Sequence, residues 1–98
     1  MRVSIVPRKT TLAKLLAKKG KVTVVWKKNK FVEGYQIQAC KNKKFKDVKD
    51  VYVKNYKTTR KNIKLKKGLY YIRIRGYRQL KGEKIFSKWS KILKVKVK

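Results

Sequence analysis

Residues 65–77, LKKGLYYIRIRGY, alternate more strictly than any other part of the chain. After the turn at Gly68, Tyr70, Ile72, Ile74 and Gly76 share one parity, and Tyr71, Arg73, Arg75 and Tyr77 share the other. Period-two alternation predicts a strand with one buried and one solvated face. The same period recurs over residues 21–27, with Val22, Val24 and Trp26 on the apolar side. Over residues 34–41 it places Tyr35, Ile37 and Ala39 inward and Gln36, Gln38 and Cys40 outward. Val51 and Val53 mark another strand, with Tyr52 and Lys54 outside, and Ile63 and Leu65 bury a short strand over residues 62–65. Residues 86–97 supply the last strand, where Leu93, Val95 and Val97 alternate against Lys94, Lys96 and Lys98. Trp89 and Leu93 share a parity that Ile92 breaks, which predicts a bulge near residues 90–92.

Residues 10–17 fit this pattern least well, because Leu12, Leu15 and Leu16 have helical spacing and Thr11 is placed to cap a short helix. The remaining segments read as connections: Gly20, residues 29–34, a lysine-rich stretch over 42–49, residues 57–60, and a hairpin loop over 79–84 around Gly82. In the lysine-rich stretch, Phe45 is expected to pin the loop to the core, and Trp26 and Trp89 are both read as core residues. Seven candidate strands at this spacing predict an all-β antiparallel sandwich. It fills residues 1–98 as one domain, with residues 1–9 as an N-terminal extension or linker.

Charge changes the picture most. The 98 residues carry 32 Lys and Arg against four acids, Glu33, Asp47, Asp50 and Glu83, a formal net of +28. With 42% hydrophobic residues the chain still has the makings of a core, so disorder is not expected. Self-repulsion at this charge opposes compaction, and anionic partners relieve it. Lysines outnumber arginines 26 to 6, which suits diffuse attraction to polyanions better than guanidinium readout of bases. A single cysteine, Cys40, rules out an internal disulfide, and no apolar run reaches the length of a membrane helix.

Catalysis is not expected. The chain has no His, the commonest general base and metal ligand, so neither a metal nor another cofactor is anticipated. Its acids sit in separate segments, Cys40 has no triad partner, and the five glycines are scattered singly rather than gathered in a phosphate loop.

Several features, in order, resemble a fibronectin type III domain. These are Trp26, GYQI at residues 34–37, a Leu-turn-Gly-Tyr sequence at residues 65–70, YIRIRGY, and FSKWS at residues 86–90. The likeness covers roughly residues 7–98 and is nearest to the lysine-rich versions found in secreted and surface proteins of Gram-positive bacteria. It implies a seven-stranded, immunoglobulin-like sandwich in which Trp26 lies between the sheets. Tyr70 forms a tyrosine corner whose hydroxyl bonds the preceding connection. The interval from Leu65 to Tyr70 is one residue shorter than usual for such a corner. Tyr35, Ile37, Ile72, Ile74 and Val95 complete the expected core.

The resemblance also groups the third, fourth, sixth and seventh strands into one sheet. Its outer face would carry Tyr52, Lys54, Tyr71, Arg73, Arg75, Tyr77, Lys94 and Lys96, beside Gln36 and Gln38. Rings beside cations suit stacking on sugars or bases with charge pairing to an anion. The same residues also make an ordinary solvated sheet face, stabilised by cross-strand neighbours and binding nothing.

The functional expectation is a non-catalytic, cationic spacer or adhesion module of a bacterial surface or secreted protein. It would be held to anionic polymer such as cell-wall teichoic acid or an acidic polysaccharide. The alternatives are a small nucleic-acid-binding protein using the Tyr and Arg face, and a subunit of an extracellular assembly. An extracellular location follows if the chain is part of a longer precursor, a cytoplasmic one if 98 residues are the complete frame.

Overall fold

Val22, Val24, Ile37, Ile72 and Ile74 lose all contact with solvent, and each comes from the apolar parity of its segment. The computed structural model describes residues 8–42 and 44–98, so most of the extension expected over residues 1–9 lies outside the described residues. The strands are β1 (Leu12–Lys18), β2 (Lys21–Trp26), β3 (Gly34–Cys40), β4 (Lys49–Val53), β5 (Arg60–Lys64), β6 (Gly68–Leu80), β7 (Glu83–Phe86) and β8 (Leu93–Val97). They form two antiparallel sheets, ordered β1-β2-β5 and β4-β3-β6-β7, with β8 also paired to β6. This is the expected immunoglobulin-like sandwich of fibronectin type III topology, with its seventh strand divided into β7 and β8.

The division has a chemical cause. Between β7 and β8, the N–H groups of Ser87 and Ser90 donate to the carbonyls of Gly76 and Ile74 at 2.9 and 2.8 Å. Their hydroxyls accept from the N–H groups of the same two residues at 3.0 and 2.9 Å. Side-chain oxygens thus take the place of strand carbonyls. The backbone stays bonded to β6 without forming a regular ladder, a larger interruption than the single bulge expected.

Residues 10–17 resolve as a strand rather than a helix. The register of β1 on β2 slips between Leu12 and Lys14, so Leu12 and Leu15 both face the core from positions three apart. A bulge mimics helical spacing in just this way. At the other hairpin β6 runs on to Leu80, which pairs with Glu83, leaving a two-residue turn. Lys81 and Gly82 both have positive φ, 51° and 82°, the backbone that suits tight hairpins.

Trp26 and Tyr35 are buried with ring centroids 5.2 Å apart. Tyr70 is buried and its hydroxyl donates to the Lys66 carbonyl at 2.8 Å, so the shortened corner closes on the residue after Leu65. Val95 is only partly buried and packs against the core from its margin. Gly76 lies so close to Val32 that no side chain fits there. Phe45 and Trp89 depart from expectation: neither joins the core, and both lie on the outer face of the larger sheet, against Arg73.

Candidate functional site

On that outer face, cross-strand register sets Gln38 opposite both Asp50 and Arg73, and Gln36 opposite both Tyr52 and Arg75. The Arg73 guanidinium donates to the Gln38 amide oxygen through Nε at 3.0 Å and Nη2 at 2.7 Å. Arg75 Nε donates to the Gln36 oxygen at 2.7 Å. Both amide nitrogens then donate to one Asp50 carboxylate oxygen, at 2.8 Å from Gln36 and 2.9 Å from Gln38. A single acid therefore ties down two arginines through two glutamines.

The flat faces of the guanidiniums are occupied as well. Arg73 lies 4.0 Å from the ring centroids of both Phe45 and Trp89. Arg75 lies 4.2 Å from Trp89 and 3.6 Å from Phe86. Cations at these distances are attracted to the ring quadrupole, and planar guanidiniums also stack. The column continues through Tyr77, 6.2 Å from Phe86, to Tyr52, 6.1 Å from Tyr77. Lys84 reaches over both tyrosine rings at 5.5 and 5.6 Å.

Burial lowers the Arg73 pKa from its ordinary value, opposed by the Asp50 charge. Burial lowers Arg75 too, with Tyr52 and Asp50 opposing it and Arg73 reinforcing it. Tyr77 is buried and its pKa is raised, chiefly by that burial. The expected wet half of β6 is thus a half-covered layer in which Arg73 and Arg75 each bond a glutamine and pack against aromatic rings.

The structure brings Tyr52, Arg73, Arg75 and Tyr77 together. It leaves Tyr71 half-buried opposite Cys40 and Lys94, puts Lys94 and Lys96 exposed on β8, and puts Lys54 exposed beyond the end of β4. The sequence reading missed Phe45, Phe86, Trp89 and Asp50 as members of the layer. FSKWS offered the one usable signal, two rings interleaved with two serines, but its partner strand is set only by tertiary pairing.

The smaller sheet has a different outer face. Its register aligns Lys18, Lys21 and Lys64 in one row across the three strands, Leu16, Thr23 and Asn62 in the next, and Lys14, Val25 and Arg60 in a third. Two cationic rows thus flank a neutral one, where the Thr23 hydroxyl bonds Asn62. A shallow hollow of about 520 Å³ opens there. None of the four acids lies on this sheet: Asp50 and Glu83 are on β4 and β7, and Glu33 and Asp47 are in connections adjoining β3 and β4. Lys64 also lines a cleft of about 510 Å³ at the sandwich margin, with Lys41, Lys46, Lys49, Lys66, Tyr70 and the acid Asp47. There the Lys49 ammonium donates to the Lys64 carbonyl at 2.8 Å.

Among the described residues no helix is long and apolar enough to cross a membrane, and no three acids or thiols gather as metal ligands. No protein-family model matches the sequence, and no curated protein matches it either. Solved structures are similar in fold. A β-1,2-glucanase from Parabacteroides distasonis aligns with 93% of this chain at a TM-score of 0.74 and 15% identity, and this chain spans 13% of that chain. A structure described as that of a myokine aligns with 93% of this chain at a TM-score of 0.71 and 18% identity, over 97% of its own length. At such identities the likeness is one of architecture, an all-β sandwich shared by unrelated proteins.

Proposed function

We propose that this protein is a non-catalytic, fibronectin type III-like spacer or adhesion module of a bacterial surface or secreted protein, held by its cationic surface to anionic polymer. The observation that carries this reading is the segregation of charge. The acids all lie on or beside the larger sheet, whereas the smaller sheet carries none and has two cationic rows on its outer face.

A spacer role is supported by the path of the chain. The Arg8 carbonyl accepts from Asn29 at 2.7 Å, beyond one end of β2, and the Lys98 carbonyl accepts from Gly20 at 2.8 Å, before the other. Arg8 and Lys98 thus bond beyond opposite ends of β2, the placement a spacer requires. The nucleic-acid alternative has less to stand on. The rings and guanidiniums that would stack on bases already stack on one another.

Binding to Gram-positive cell walls before and after removal of their teichoic acid, at about 150 mM salt where diffuse attraction is weak, tests the reading. Retention that depends on the polymer is expected. Equal retention on stripped walls, or none on either, would overturn it.

A further inference from the structure

The row Lys18–Lys21–Lys64 is unfavourable on its own terms. Directly opposed residues on neighbouring strands have backbones about 5 Å apart, and like charges so placed are destabilising. No acid on the sheet relieves them. An anion bound across the row relieves all three charges at once.

From this we infer that the outer face of the smaller sheet is a track for a linear phosphodiester polymer with polyol spacers, an assignment that rests on the proposed polyanion-binding role and locates it. Phosphate groups lie along Lys18, Lys21 and Lys64. The chain then continues past Lys49 into the marginal cleft, whose wall Lys64 shares and where five lysines outnumber Asp47.

Three observations select this chemistry. Lysine ammonium groups are compact, mobile point charges with three donors, suited to phosphate without a fixed orientation. The floor between the cationic rows is neutral: the buried Thr23 hydroxyl is bonded to Asn62, and the exposed Leu16 and Asn62 are left to meet a short neutral polyol. No aromatic side chain occupies an outward position of the sheet, so bases would find no stacking platform. The second rail, Lys14 and Arg60, runs roughly 13 Å away along the strands, within reach of the same polymer where it bends.

The decisive comparison is between two charge-matched triple variants, Lys18→Gln/Lys21→Gln/Lys64→Gln and Lys28→Gln/Lys30→Gln/Lys57→Gln. The probe is poly(glycerol phosphate) of defined length, titrated from about 50 to 200 mM salt, with single-stranded DNA and hyaluronan as comparators. The row variant should lose about tenfold or more in affinity and have its salt slope reduced by about 2–3, while the control retains both within a factor of about three. Equal losses in the two variants would overturn the track and leave polyanion binding standing as a bulk effect of charge. Failure of the unmodified protein to bind at the highest salt would overturn the proposed function itself. DNA binding that is tighter and equally row-dependent would replace the polyol phosphate with nucleic acid.

Discussion

The Trp89 ring centroid lies 4.0 Å from the guanidinium carbon of Arg73, joining the irregular segment between β7 and β8 to the middle of β6. Trp89 also lies 4.2 Å from Arg75, so one ring closes two cation–π contacts. Each is worth about 0.5–1 kcal/mol, more when desolvated, and ring burial adds to them. Trp89→Ala should therefore cost about 2–3 kcal/mol in urea unfolding. A loss below about 0.5 kcal/mol would mean that the column is an ornament of the surface.

Arg73 and Arg75 lead to an outcome opposite to that of a ligand-binding face. Were they a binding site, removing them would weaken binding and spare stability. Since both faces of Arg73 and two of its donors are already engaged within the protein, Arg73→Lys should keep the charge yet cost about 1–2 kcal/mol. Polyanion affinity should stay unchanged. Chemical unfolding and the salt titration, made on one preparation, separate these two effects.

The inward half of β6 was readable because alternation reports burial directly: Tyr70, Ile72 and Ile74 needed no partner to be identified. The outward half was not, because what covers it comes from segments without a period. Phe45 sits in a lysine-rich connection at a positive φ of 57°, and Trp89 sits where serine hydroxyls replace the ladder. Neither conformation is written in hydropathy. Residues 10–17 misled for the converse reason, since a bulge gave a strand the spacing of a helix. The cationic rows stayed hidden because a row is a property of register across strands: Lys18 and Lys21 flank the turn at Gly20, but only the pairing of β5 with β2 brings Lys64 beside them.

Gly76 and Val32 supply a packing test. A Cβ at Gly76 would run into the Val32 side chain and come within 3.1 Å of the Thr10 hydroxyl. Gly76→Ala should lower stability by about 1–3 kcal/mol through overpacking. Pairing it with Val32→Ala should recover part of that loss. A double-mutant cycle showing no coupling would contradict the contact.

Tyr77 gives a pH dependence whose sign follows from its burial. Its folded pKa is raised above the ordinary 10.0, so the neutral phenol is the form the fold favours. That contribution is complete below about pH 10 and is lost as pH rises through the raised value. Lysine deprotonation acts in the same range, so the useful quantity is a difference. Tyr77→Phe should match the parent protein at pH 8 and be relatively more stable at pH 11, by thermal unfolding. A constant gap between the two pH values would show that the phenol ionises as freely in the fold as outside it.

Lys21 stands between Lys18 and Lys64 and so takes part in both like-charge contacts of the row. Removing its charge removes two repulsions at once, each worth a few tenths to about 1 kcal/mol when unscreened. Lys21→Gln should accordingly raise the melting temperature at about 10 mM salt, where the screening length is roughly 30 Å. The gain should shrink towards zero at about 1 M, where that length is roughly 3 Å. Bound poly(glycerol phosphate) should abolish it too, by supplying the counter-charge that the sheet lacks. A gain indifferent to both salt and polymer would trace to side-chain propensity and remove the electrostatic basis for placing an anion there.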